Sequence, residues 1–239
     1  MFWQVNVISI IEKALADLQH GKFVLIHDAD NREDETDFIL PAEFVTPKHV
    51  KIMRKDGGGL LFLMITAEIA KTFQLPFITD IFSHSESTFP VLHSLIADDI
   101  PYDVKSSFSI WLNHRDTFTG ITDNDRALTM KEFALLSKKC MQNKVEKPVI
   151  ELGKQFRSPG HVPICRASEQ PLTSRFGHTE LSTALLTMAN VTPVACGCEI
   201  MGDTGRALSK AEAKQYADKH QYIFLEGKDI VKSWKSWSP

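Results

Sequence analysis

Apolar and polar residues fall in blocks along this chain, and the spacing within each block predicts an element. Residues 6–20 place Val7, Ile11, Ala14 and Leu18 at helical spacing, with Ile8 and Leu15 beside them, and Gly21 is a natural stop. The apolar run 23–26 reads as a buried strand, and 38–40 as a second strand ended by Pro41. Thr46-Pro47 has the pattern of a helix cap followed by proline at the first helical position. That helix is expected to run to about Lys55 and break at Gly57-Gly58-Gly59, a turn into a strand over 60–65. Thr66 then caps a short helix over 67–73, and residues 76–104, with Pro76, Pro90 and Pro101, read as a long irregular excursion.

The second half is more regular. Over 106–114, Phe108, Ile110 and Leu112 alternate with Ser109, Trp111 and Asn113, the pattern of a half-buried strand. Thr129 and Glu132 have capping-box spacing for a helix carrying Phe133, Leu136 and Cys140. Residues 142–157 read as a polar surface connection, Ser158-Pro159-Gly160-His161 as a turn, and 162–165 as a strand. Leu181, Ala184, Leu185 and Met188 share one helical face, with Thr179 the expected N-cap. Residues 194–201 read as a strand, Ser209 and Glu212 open a helix to about His220, 222–225 is a last strand and 228–237 a terminal helix. Strands and helices mix without regular alternation, no repeat is visible and no linker stands out. The expectation is one domain over residues 1–239, of α+β class, with a mixed β-sheet and surrounding helices.

Composition narrows the class. At 239 residues with 43% apolar and 24% charged residues, the chain reads as an ordinary globular protein. A net charge of −3 gives no reason to expect nucleic acid, and no apolar run is long enough to cross a bilayer. Met1-Phe2-Trp3-Gln4 lacks a basic signal-peptide start. Cys140, Cys165, Cys196 and Cys198 form no Cys-x-x-Cys pair, so reduced thiols and a cytoplasmic location are expected.

Charge then changes the picture at one place. Between the first two strands, Asp28, Asp30, Glu33, Asp34, Glu35 and Asp37 crowd into ten residues with Arg32 among them. Such a run is either a solvated loop or a site whose repulsion is offset by basic residues or a hard divalent cation. An EF-hand is excluded, because Arg32 and Glu33 stand where a ligand and a glycine are required. Three other places carry candidate chemistry. Arg175 beside a helix start can hold a phosphate, and His178 there can ligate a metal or move a proton, or lie in solvent. His161 follows a Pro-Gly pair and is either a base or a turn residue. Glu199 sits in an apolar strand, facing away from Cys196 and Cys198, so these three make a poor metal site. Together these are parts of a magnesium-dependent enzyme acting on a small phosphorylated molecule.

The motifs in order sharpen this. Asn31-Arg32-Glu33-Asp34-Glu35-Thr36-Asp37, Phe118-Thr119-Gly120-Ile121-Thr122-Asp123-Asn124-Asp125-Arg126, Ser158-Pro159-Gly160-His161, Arg175-x-Gly177-His178-Thr179 and Glu199 together resemble the 3,4-dihydroxy-2-butanone 4-phosphate synthase family of riboflavin biosynthesis, in its archaeal form. The resemblance covers most of the chain. It implies a lyase that converts D-ribulose 5-phosphate into L-3,4-dihydroxy-2-butanone 4-phosphate and formate, using magnesium, or manganese in its place. It also implies a homodimer with active sites at or near the subunit interface. By the same resemblance Glu33 and His178 are metal ligands, and Arg32 and Asp37 contact substrate. Arg175, Gly177 and Thr179 hold its phosphate, and His161, Glu199, Glu35 and Asp37 are catalytic. Thr119 is a further active-site position.

One departure concerns Phe62, which stands where the family commonly has a cysteine near the active site, and this bears on the shape of the pocket. Two other classes compete. A different phosphosugar enzyme would use the same groups and differ only in product. A non-catalytic binding protein would leave the acidic run as surface.

Overall fold

The acidic run is the turn of a hairpin. In this computed structural model, which describes residues 9–237, β1 (Val24–His27) and β2 (Thr36–Pro41) pair antiparallel, with Ile26 opposite Asp37 and His27 opposite Thr36. Five further strands complete one mixed sheet: β3 (Phe62–Ile65), β4 (Phe108–His114), β5 (Phe156–Arg166), β6 (Val194–Glu199) and β7 (Ile223–Glu226). Their order is β4-β5-β3-β6-β2-β1-β7, with β1·β7 and β3·β5 parallel and the other pairs antiparallel. The expected α+β class with a mixed sheet is what the chain adopts. Among the described residues, no helix is long and apolar enough to cross a membrane.

The short apolar strands are buried on both faces, so alternate side chains feed two cores. Val24, Ile26, Ile39, Met64 and Ala195 face α1 (Ile10–Gln19), α8 (His178–Met188) and α10 (Gly227–Ser236). Leu25, Phe38, Leu40, Leu63, Cys196 and Cys198 face α2 (Pro47–Ile52), α3 (Ala67–Thr72), α6 (Asp123–Met141) and α9 (Lys210–His220). The stop at Gly21 holds, its backbone in the left-handed region at φ 67°. Of the first expected helix, Val7 and Ile8 lie outside the described residues.

Several expectations are corrected. The excursion 76–104 contains α4 (Ile78–Ser85) and α5 (Val91–Ser94), and the supposed connection 142–157 contains α7 (Pro148–Gln155), opened by Pro148 at its first turn. The helix after Thr46 ends at Ile52 and passes into a π-helical turn, Met53–Gly57. The Ser158–His161 segment is not a turn: it lies within β5, and Gly160 is needed because a side chain there would strike the backbone of Leu112 on β4. The helix expected from Thr129 starts earlier, capped by Thr122, whose hydroxyl accepts from Asp125 N at 3.1 Å. Thr129 is buried instead inside α6, where its hydroxyl accepts the His114 backbone N–H at 3.0 Å and so ties the helix to β4. A capping-box spacing is blind to this competing use of a hydroxyl.

That bond makes a prediction. Thr129→Val keeps the shape but strands a buried N–H, and should lower the unfolding free energy by about 1–3 kcal/mol in a denaturant titration. Thr122→Ala, losing an ordinary exposed cap, should cost about 1 kcal/mol.

Candidate active site

Asp28 shapes the hairpin loop. Its carboxylate is fully buried and accepts Glu33 N (3.1 Å) and Arg32 Nη1 (3.2 Å) on one oxygen and Glu35 N (3.2 Å) on the other. Asp34 takes the left-handed conformation at φ 56° that closes the turn. Glu33, Glu35 and Asp37 are thereby aimed toward α8. Glu199, opposite Asp37 across the β2·β6 pair, joins them from the same sheet face. The triple glycine serves this placement: Leu60 N donates to Glu199 Oε2 at 2.7 Å, and a Cβ on Gly59 would collide with the Glu199 side chain.

The first turn of α8 brings the opposing charge. His178 is its first residue. The His178 Nε2 atom is 3.1 Å from the Ile26 carbonyl and 3.6 Å from Asp37 Oδ1, and its Nδ1 is 3.2 Å from Glu33 Oε2. With Nε2–H given to a backbone carbonyl, Nδ1 is the atom that a cation would take in place of the proton it now shares with Glu33, the usual arrangement of a ligating histidine. Asp28, Glu33 and His178 offer ligand atoms within 4.8 Å of one another, and Asp37 Oδ1 is buried without a hydrogen-bond partner among the described residues. This oxygen and nitrogen donor set suits a hard divalent ion. Thr179 is not the N-cap; Gly177 is, with no side chain on the helix end. Thr179 lies in the first turn beside free backbone N–H groups, a position suited to an anion. A Cβ at Gly177 would stand 2.7 Å from Arg32 Nη2, so glycine there lets the two segments close.

Proton affinities separate within the cluster. Burial alone would raise the Glu33 carboxyl, but the hydrogen bond from His178 and the His178 and Arg32 charges outweigh it and hold it down at about 2. Burial disfavours the His178 cation, but Asp37, Glu33 and Asp28 reverse that and raise it to about 10. Glu35 is raised by burial and by the Glu199 and Glu33 charges. Asp37 is raised well above its ordinary value, chiefly by burial. Glu199 is raised by burial against the hydrogen bonds it accepts. One carboxylate is thus poised as a ligand, and three carboxyls are poised to hold protons.

These groups line one cavity of about 430 Å³, together with Arg32, Arg175, Thr179, Tyr102, Phe62 and Cys165. Phe62 fills part of the wall, and the thiol in that wall comes from Cys165, on the strand beside it; burial keeps it protonated, near pKa 12. Arg175 Nη1 donates to Glu180, which is fully buried, at 2.7 Å.

His161 and Thr119 are elsewhere. They lie where β4 and β5 run on past β3; His161 stands four residues from Cys165 of the cavity wall, roughly 13 Å along an extended strand. Asn113 organises them: its Oδ1 accepts His161 N at 2.8 Å and its Nδ2 donates to His161 Nδ1 at 3.2 Å. Thr119 Oγ1 donates to Asp125 at 3.3 Å. Sequence reasoning missed Asn113, Tyr102 and Asp103. Asn113 had a weak signal as a polar residue in a strand; the other two lie in a segment without periodicity.

An α+β domain that gathers carboxylates, an imidazole and an uncapped helix start around one cavity is of the class of enzymes acting on small molecules. The comparisons make the family definite. A sequence model of the 3,4-dihydroxy-2-butanone 4-phosphate synthase family matches residues 12–233, and the chain belongs to this family. It is 46% identical over 231 residues to the 3,4-dihydroxy-2-butanone 4-phosphate synthase of Methanothermobacter thermautotrophicus, covering 96% of this chain and 98% of that one. The crystal structure of the Candida albicans synthase shares the fold at a TM-score of 0.71 and 26% identity, covering 95% and 98%. Another structure of such a synthase, in complex with two magnesium ions, has a TM-score of 0.70 at 24% identity, covering 95% and 96%.

Asp28→Asn should lower stability by about 2–3 kcal/mol in chemical denaturation, because one backbone N–H of the loop then meets an amide N–H₂ in a buried place. Glu35→Gln should change stability by less than about 1 kcal/mol or raise it, since it relieves a buried, repelled charge.

Proposed function

We propose that this enzyme converts D-ribulose 5-phosphate into L-3,4-dihydroxy-2-butanone 4-phosphate and formate for riboflavin biosynthesis, as a magnesium-dependent homodimer in the cytoplasm. The observation that carries the reading is the convergence of Glu33 and His178 with Glu35, Asp37 and Glu199 in a cavity whose other end is Arg175 and the start of α8. Substrate and product balance without an external oxidant: one water is lost, the carbon skeleton shifts, and one water is consumed in releasing formate.

Glu33 and His178 would hold the ion, magnesium or manganese. When bound, the ion supplies Lewis-acid polarisation of the ketone and neighbouring hydroxyl. Arg175 and the free N–H groups beside Gly177 and Thr179 would hold the phosphate, and Arg32 and Asp37 the sugar. Glu35, Asp37 and Glu199 have proton affinities raised above the ordinary carboxylate, chiefly by burial, and are the groups that would take a proton from a carbon or hydroxyl and return it. Phe62 and Tyr102 form part of the cavity wall.

A homodimer fits the separate placement of His161 and Thr119. Their face of the molecule carries the exposed apolar side chains Trp111, Phe118 and Ile121. A second copy docked there would cover these side chains and present His161 and Thr119 to its own cavity.

Incubation with ribulose 5-phosphate and magnesium should release formate. Chelation should stop it, added magnesium should restore it, and Glu33→Gln should cost at least about 100-fold, the upper end of what loss of a group supporting a metal ligand costs. Absence of formate from the loaded wild type would overturn the assignment.

The shared site has its own test. His161→Ala and Glu33→Gln proteins, each inactive, should recover roughly a quarter of wild-type activity when subunits are mixed and exchanged, since half the dimers are then hybrid with one intact site. No recovery despite demonstrated exchange means that His161 serves its own chain.

A further inference from the structure

The donors of Arg175 are already engaged. Nη1 donates to Glu180, while Nε and Nη2 donate to Asp103 Oδ2 at 3.1 and 2.8 Å. Arg32 Nη2 donates to the same Asp103 oxygen. One carboxylate therefore sits between two guanidinium groups that both line the catalytic cavity, on the side where a neighbouring cavity meets them. Asp103 comes from an unusual stretch. Residues 95–107 lie between α5 and β4 without helix or strand. Val104 is 100% exposed and Tyr102 is 43% exposed, yet the Asp103 side chain is only 10% exposed. The segment is anchored by charge more than by apolar packing: Asp103 on the two arginines, Tyr102 against Arg32 at 5.1 Å, and Lys105 on Asp80 at 2.6 Å. A charged anchor can be exchanged for another anion, whereas an apolar one cannot.

We propose that Asp103 is a built-in anion that determines specificity for a phosphorylated substrate: it occupies the Nε and Nη2 edge of Arg175, with Arg32 on its other side, until a phosphate dianion displaces it. This rests on the reading that Arg175 takes the substrate phosphate. The two anions exclude one another. A phosphate oxygen donated to by Arg175 Nε and Nη2 would stand where Asp103 Oδ2 now stands, and the charges already facing the two arginines include Asp28, Glu33 and Glu180. A dianion with three acceptor oxygens replaces the single carboxylate with a stronger partner, and a neutral sugar does not. Tyr102 lines both the catalytic cavity and a larger neighbouring one of about 600 Å³ that carries Lys228 and Lys232. Displacing the segment therefore joins the catalytic cavity to a basic approach.

The test uses inorganic phosphate as probe, titrated calorimetrically into wild-type, Asp103→Asn and Arg175→Ala proteins. The amide replaces the charge at constant size, and Asp103→Asn should bind phosphate at least about tenfold more tightly than wild type. Equal or weaker binding overturns the proposal, because Asp103 then orients the arginines and does not compete. Arg175→Ala should lose most phosphate binding; undiminished binding there overturns the phosphate assignment itself, independently of Asp103. Hydrogen exchange of the wild-type protein adds a measurement without mutation. Phosphate should speed exchange of the amides around Asp103, and unchanged or slowed exchange counts against displacement.

Discussion

The unscreened repulsion among carboxylates is the constraint on which this structure depends. Asp28, Glu33, Glu35, Asp37, Glu199 and Asp103 converge on three cationic groups, Arg32, Arg175 and His178. Water could screen such a cluster at the surface, but most of these groups are buried or half-buried. The chain answers in two ways. Asp28 turns its charge into loop architecture by accepting backbone N–H groups, and Arg32 bridges three acids at once. The remaining excess is carried as raised proton affinity on Glu35, Asp37 and Glu199. A site whose carboxyls bind protons more readily than usual is suited to acid–base work, and a divalent cation would complete the balance.

Much of the fold was legible because buried strands and amphipathic helices leave periodic traces. The 23–26 and 38–40 runs, the 181–188 face and the Ser209 cap each correspond to an element close to the expected bounds. Three of the misreadings share a cause: a local signal was outweighed by a distant partner. Thr129 is drawn into α6 because His114 N needs its hydroxyl. Gly160 looks like a turn residue, yet it is there to let β4 and β5 approach. Thr179 looks like a cap, but Gly177 takes that place because Arg32 leaves no space for a side chain.

The site was legible in its parts and not in its assembly. Nothing in the sequence spacing says that Glu199 pairs with Asp37 across two strands, since register is fixed by cores on both sheet faces. Asp28 is assigned no role by its motif, because its work is done on backbone groups. Asp103 carries no pattern at all: a single carboxylate in an aperiodic segment gains meaning only from the two arginines that it meets.

The first turn of α8 explains why the two ends of the cavity are so close. His178 turns toward the acidic loop, Gly177 and Thr179 flank it at the same helix start, and Arg175 precedes Gly177 by only two residues. One helix turn rises about 5.4 Å, so in the proposed assignment the backbone positions that would serve the cation and the phosphate lie closer together than the length of a five-carbon sugar phosphate. Because His178 and Thr179 belong to one helix turn, their relative placement is fixed. A substrate that reaches both ends is therefore held at a fixed position against Glu35, Asp37 and Glu199, which the sheet fixes independently. Under the proposed function, orientation of this kind would let a site made of ordinary carboxyls direct proton transfers to particular carbons.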